Sequence, residues 1–366
     1  MKYLPRASQL ATFAILALTM GLGLWKPGQN FDALAYAGCV VKLSGTSPNQ
    51  LRETTLLLAG EQVSAETLNL WHQGEYRQAV TSHNQVFNEQ LSLYRNRKLF
   101  LALGWLGTKF GVNPFIALFG LSWLAGSLAL LLACWTFLRN RAVTTWIIFA
   151  IGILACGIPA LMRLTTPDTL AMLAWTLIAW SLLKKPGLLM GLTPALPLFR
   201  PDLIILSLLL CCLMLWETRN RIWIVSCLGS VIIFALIQWG TAPWSTTFYV
   251  TFIDRLPLPI SEPPQLHISQ YFSVLLNQTR ALEYRNHLLL SLLLGVLAFL
   301  LQQKTRNRLL ARFAVVSICF LLLHFLIFPS GEARFYAGPN LILLGLIVWG
   351  LDEKDPKTGK YPSAAS

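Results

Sequence analysis

Charged side chains are scarce in this chain. Asp, Glu, Lys and Arg make up 12% of its 366 residues, about half the ~25% of an ordinary soluble domain. That leaves too little polar surface to cover a core in water, and it excludes a water-soluble globular protein. Cysteine patterning is missing as well. None of the seven cysteines belongs to a CxxC pair or a Cys/His cluster, which argues against a metal-binding finger, a disulfide framework and redox chemistry. All but Cys39 fall in apolar runs, where a thiol behaves as a small hydrophobe. The chain carries no glycine-rich phosphate loop, so a nucleotide-driven pump is not expected. It has no long internal repeat and no low-complexity tract.

What is present is hydrophobic sequence, 55% of all residues. Runs such as 142–162 and 309–329 can each cross ~30 Å of hydrocarbon at ~1.5 Å per helical residue. The apolar pattern predicts an all-α membrane protein with about ten spans, at 8–25, 114–138, 142–162, 168–183, 186–199, 201–216, 221–239, 286–302, 309–329 and 337–351. Residues 1–351 form one polytopic domain, and 352–366 read as a disordered cytoplasmic tail. The first apolar stretch reads as a retained helix, because a polar segment separates it from the weak lipoprotein-like box ending at Cys39.

The net charge of +13 would raise nucleic acid as a partner in a soluble protein. Here the positive charge falls where cytoplasmic loops carry it. With the N-terminus inside, the inner loops Arg139–Arg141, Lys184–Lys185, Glu217–Arg221, Gln302–Arg308 and the tail are all basic. The chain is therefore expected in a cytoplasmic (plasma) membrane, N-in and C-in, contacting lipid and no nucleic acid. Two long segments, 26–113 and 240–285, then lie outside. The first is expected to hold amphipathic helices, with 98–112 lying on the membrane surface. The inner loops are too short for a cytosolic active site, so chemistry belongs on the outer face.

Charge collects at that face. Prolines open the helices at Asn113-Pro114, Thr166-Pro167-Asp168, Arg200-Pro201-Asp202 and Gly338-Pro339-Asn340. Proline suits a first turn because the N–H it lacks would have no helical partner there. Helix N-termini, each worth about half a positive charge, then share a layer with Arg163, Arg200 and Arg334, a combination able to hold a phosphate. The plainer reading is that proline is ordinary at helix starts and that arginine snorkels to lipid phosphate. Asp168 and Asp202 have capping as their default role. Asp32 sits among apolar neighbours with no cap to make, and a carboxylate there is costly unless used or paired. Tyr36 lies one turn beyond it. His324 is expected to be a hydrogen-bonded structural residue.

These residues, in this order, resemble the GT-C superfamily of membrane glycosyltransferases. Phe31-Asp32-Ala33-Leu34-Ala35-Tyr36 after the first span is similar to that family's acidic residue with a downstream aromatic. Tyr94-Arg95-Asn96-Arg97-Lys98-Leu99 resembles its Tyr-x-x-Arg-x-Leu stretch, with Lys98 where proline is common. Thr165-Thr166-Pro167-Asp168 lies where a second acid is found, Phe199-Arg200-Pro201-Asp202 is similar to the Arg-Pro element, and Glu332-Ala333-Arg334-Phe335 to a late Arg-Phe. The resemblance implies an inverting transfer of a sugar from a polyprenyl-phosphate donor to a lipid or glycan acceptor in the bacterial cell envelope. It implies Asp32 as catalytic base and Asp168 as a second catalytic carboxylate, orienting the acceptor or a divalent Mg or Mn ion. Arg200, Arg334, Arg163 and Arg97 would hold the donor phosphate, and Tyr36 and Arg95 would bind substrate. Two other classes compete: a transporter or flippase for a lipid-linked sugar, and an inactive scaffold subunit whose outer loops serve as a docking surface. Charge at one face and almost none inside the spans favours surface chemistry over translocation.

Overall fold

A computed structural model describes residues 14, 16–21, 23–24, 28–139, 141–255, 265–281 and 287–352. Half of the expected first span lies outside the described residues, as do Glu262, the prolines at 257, 259, 263 and 264, and the tail beyond 352. Among the described residues the chain is helical throughout, with no strand and one isolated bridge between Gly28 and Leu164.

Helices α1 (Phe31–Leu43), α2 (Leu51–Gly60), α3 (Ala65–Trp71), α4 (Glu75–Ser82), α5 (Asn84–Tyr94) and α6 (Lys98–Lys109) come first. They are followed by α7 (Pro114–Phe137), α8 (Val143–Ala155), α9 (Ile158–Leu161), α10 (Asp168–Lys184), α11 (Leu189–Phe199), α12 (Leu203–Thr218) and α13 (Ile222–Gln238). Helices α14 (Trp244–Phe252), α15 (Ile268–Ala281), α16 (His287–Lys304), α17 (Arg308–Ile327) and α18 (Ala333–Asp352) complete the chain. Pro114–Phe137, His287–Lys304, Arg308–Ile327 and Ala333–Leu351 are long and apolar enough to cross a membrane, the make-up of a multi-pass membrane protein. Helices α8, α11, α12 and α13 are apolar but shorter. Their outward residues suit lipid better than water: Val225, Leu228, Ile232 and Leu236 stand exposed along α13.

The bundle packs through small residues. Helix α18 lies against α10, α16 and α8, and a Cβ on Gly338 would come within 2.6 Å of the Trp175 ring. Trp175 in turn meets Phe320 edge-on at 5.1 Å. Without a hydrophobic driving force between helices in lipid, close backbone approach of this kind supplies the dispersion contact that holds them.

Two expected spans differ in detail. The run 142–162 is broken: α8 stops before Gly157, whose φ of +70° is left-handed, and Pro159 restarts the chain as the single turn α9. Glycine takes that conformation without a Cβ clash. The last helix begins earlier than Pro339 predicts, at Ala333, so this proline lies inside the helix and not in its first turn. The lost hydrogen bond is offset by tertiary contacts that require helical geometry upstream. Arg334 reaches Asp32, and the Tyr336 hydroxyl donates to the Ser330 carbonyl. Pro114 does open α7, where the Asn113 side chain accepts from the Phe115 N–H at 3.0 Å. Pro167 is the cap of α10, and Pro201 precedes the Asp202 cap of α12.

Segment 28–113 is more ordered than its mixed polarity suggests. Helices α1–α6 enclose a second core built on Trp71, Phe87, Leu91, Phe100 and Phe115. Helix α1 is its centre, with Ala33–Val41 buried, and a Cβ on Gly38 would meet the Phe87 ring at 2.7 Å. Cys39 is buried here, its Sγ 3.6 Å from the Leu91 carbonyl. Helix α6 packs its Gly104 on Leu118 of α7 and leaves Leu103, Leu106 and Phe110 exposed. The polar stretch 84–94 becomes α5, which lies on α1.

Candidate functional site

The two cores meet around a cavity of about 670 Å³, within the 300–1,000 Å³ range of small-molecule sites. It lies where the first turns of α1, α10, α12 and α18 come together with the last turns of α5, α13 and α17.

Asp32, in the first turn of α1, faces it. The Tyr94 hydroxyl donates to Asp32 Oδ1 at 2.8 Å, and Arg334 Nη1 donates to Oδ2 at 2.7 Å. The Asn30 amide donates to the same Oδ2 at 3.2 Å. The carboxylate keeps about a quarter of its surface open, 24%. Burial pushes its pKa up, but the Arg334 charge and the donors from Arg334 and Tyr94 more than offset that, and the net direction is down. Tyr94 is driven the other way, well above the phenolic range, first by burial and then by the Asp32 charge. The pair is thus a carboxylate and a neutral phenol. Tyr36, one turn along α1, stands edge-on to Tyr94 at 5.1 Å and to Phe100 at 5.3 Å.

A second group of carboxylates lies deeper. Arg200 follows the end of α11 and is almost wholly buried. Its Nη1 donates to Asp168 Oδ1 at 2.6 Å, while Nε and Nη2 form a fork on the two Asp202 oxygens, each at 2.6 Å. His324 of α17 closes the group, with Nε2 3.2 Å from Asp202 Oδ2 and 3.3 Å from Arg200 Nη2. The Phe335 ring separates the two groups, with the Arg200 guanidinium 5.2 Å from its centre and that of Arg334 5.0 Å away. Contacts of this type add about 0.5–2 kcal/mol each.

Arg97 also lines the cavity, and it has no carboxylate partner among the described residues. Its Nη1 donates to the Leu93 carbonyl at 2.9 Å and to Asn96, while its buried Nε has no hydrogen-bond partner. A half-buried guanidinium left in that condition has N–H donors to offer an anion.

The structure thus gathers Asp32, Tyr36, Arg97, Asp168, Arg200 and Arg334 at one cavity. Two expected site residues are not in its lining. Arg163 is exposed, and its contribution is a carbonyl that accepts from the Gly28 N–H at 2.6 Å. Arg95 stands away from the cavity near Cys39, Lys42 and Lys98; burial first and its charge second lower both lysines. Asp202 and His324 belong to the site although sequence reasoning treated them as a cap and a structural residue. Proline one residue before Asp202 disguised it, and nothing local links it to a histidine 122 positions away. The donor set does not suit a divalent cation. Asp168 and Asp202 are already engaged by Arg200, and no group of three or more metal-ligating side chains occurs among the described residues.

No family model matches the chain, and neither a curated protein nor a solved structure is significantly similar to it.

Proposed function

We propose that this protein is an inverting membrane glycosyltransferase, moving a sugar from a polyprenyl-phosphate donor to a lipid or glycan acceptor on the non-cytoplasmic face. The observation that carries the reading is the Asp32 carboxylate, partly open, fixed by three donors and facing a ligand-sized cavity beside an acid-free guanidinium, Arg97. The sequence resemblance agrees with it. The topology belonging to the proposal has about ten spans with both termini inside, the shorter apolar helices crossing as tilted or bundled elements.

The chemistry is a single displacement. The acceptor oxygen attacks the anomeric carbon from the face opposite the phosphate, and the bond from that carbon to the phosphate oxygen breaks. The acceptor proton goes to Asp32. Its lowered pKa makes it a weak base at rest, so the proton moves late, once bond formation has acidified the hydroxyl. Negative charge grows on the departing lipid phosphate, where Arg97 and Arg334 stabilise it. Arg200, saturated by Asp168 and Asp202, serves as the strut that holds the first turns of α10 and α12 in register.

The test is transfer by membranes carrying wild type or Asp32→Asn, with labelled polyprenyl-phosphate sugars and extracted acceptors. The proposal expects transfer by wild type and loss of about 10²–10⁴-fold in the variant at equal protein level. Transfer by a well-inserted Asp32→Asn protein at the wild-type rate would remove Asp32 from the chemistry. Charged residues gathered at one end of the helices speak against the transporter reading.

A further inference from the structure

Charge in the cavity is unevenly matched. Asp32 and Glu332 are both held by Arg334, and Asp168 and Asp202 by Arg200. Three arginines of the lining, Arg77, Arg97 and Arg255, have no carboxylate within ion-pair distance among the described residues. Arg97 is accounted for above by the donor phosphate. The other two belong to a different wall.

That wall is aromatic. Phe31, next to Asp32 in α1, stands edge-on to Tyr76 of α4 at 6.0 Å and to Trp71 at 6.4 Å. Arg77 lies over the Phe31 ring, 5.4 Å from its centre, with one N–H on the Leu70 carbonyl at 3.1 Å. Arg255, past the end of α14, acts electrostatically on the Tyr76 hydroxyl, as does Asp32. Arg77, Phe31, Tyr76 and Arg255 thus line the same cavity, with Asp32 next to Phe31 in the chain. Burial pushes the Tyr76 phenol up to about 12, so it remains a neutral hydrogen-bond donor. An aromatic surface covers the apolar face of a pyranose ring, a neutral hydroxyl bonds to the ring substituents, and guanidinium groups lining the same cavity select a negative group. Arginine presents a planar fork that matches a carboxylate or phosphate better than a point charge does.

We propose that this wall is an acceptor subsite, and that the acceptor is a sugar carrying an anionic substituent, carboxylate or phosphate. The proposal rests on the glycosyltransferase reading for the word acceptor; the anionic-sugar site itself is tested by binding alone. Binding of three small probes to the protein in lipid nanodiscs would be measured: methyl β-glucuronide, glucose 6-phosphate and neutral methyl β-glucoside. At least one anionic sugar is expected to bind wild type about 10-fold or more tightly than the neutral one, the gain typical of charge-assisted bonds. Whichever of the two is tighter identifies the substituent. Arg77→Gln/Arg255→Gln should reduce that preference to below about 2-fold. Arg255→Gln alone, at an exposed position where folding is not at stake, should reduce it by about 3-fold or more. Arg97→Gln should leave the preference in place. Equal binding of charged and neutral sugars, survival of the preference in the double variant, or its loss in Arg97→Gln would each overturn the subsite. An intact preference in a protein that transfers no sugar would leave the subsite standing while the enzyme reading fails.

Discussion

The cavity contains two carboxylate groups that look alike on paper and differ in what they can do. Asp168 and Asp202 share an arginine that is only 7% exposed. Asp32 and Asp202 are about equally open, at 24% and 22%, but the arginine on Asp32 is itself a quarter exposed, and Tyr94 and Asn30 are its other donors. A carboxylate tied to a buried arginine is a strut, because any ligand would have to displace an interior charge. One whose arginine also meets the cavity can accept a proton or a hydrogen bond from something that arrives.

Substitutions can break this contrast. The largest expected effect is Asp32→Asn, with a loss of transfer of about 10²–10⁴-fold and little change in unfolding temperature. A comparable fall in thermal stability would place Asp32 with the struts. Next comes Arg200→Met, which strands two carboxylates, of which Asp168 is buried. It should destabilise the protein by about 3–5 kcal/mol, read as early thermal unfolding in detergent. Arg97→Gln should spare stability and raise the donor KM by about 10-fold or more, as expected for losing a charged hydrogen bond. Of similar size is Tyr94→Phe, where loss of one donor to a carboxylate costs roughly 1.5–3 kcal/mol of its preference for the charged form.

That last variant sharpens the comparison through pH. The folded Asp32 has a lower pKa than its ordinary 3.8. Its ionised form is favoured by folding, so its contribution to stability is complete above 3.8 and is lost as pH falls through the folded value. Transfer should accordingly show no acid limb from Asp32 between about pH 5 and 8. In Tyr94→Phe the acid limb should move upward. A limb that does not move between the two proteins would take the Tyr94 bond out of the account.

Much of the helical framework was legible because apolar runs are local. The helices beginning at Pro114, Asp168, His287 and Arg308 lie within a few residues of their expected starts. Asp32 could be singled out as a carboxylate with no local excuse. The remainder depended on contacts that sequence spacing does not encode. Asp32 meets Tyr94 62 residues away and Arg334 302 residues away. Arg200 looked available for phosphate because its partner Asp202 read as a helix cap and Asp168 lies 32 residues upstream. The start of α18 was misplaced because Pro339 reads locally as a first-turn residue, a signal overridden by the contact of Arg334 with Asp32, 302 residues away.

The segment leading into α1 is tied to the chain after α9 by a bond between peptide groups, from the Gly28 N–H to the Arg163 carbonyl. Asp32 stands four residues beyond that tie, so its placement depends on main-chain atoms that every residue except proline can supply. The side chain at position 163 is therefore a poor marker of it, whereas at position 28 a Cβ would press to 3.3 Å on the Arg163 carbonyl oxygen itself. Two chains could differ at position 163 and still present the carboxylate at the same spot. Proline at position 28, which has no N–H to give, would unfasten it.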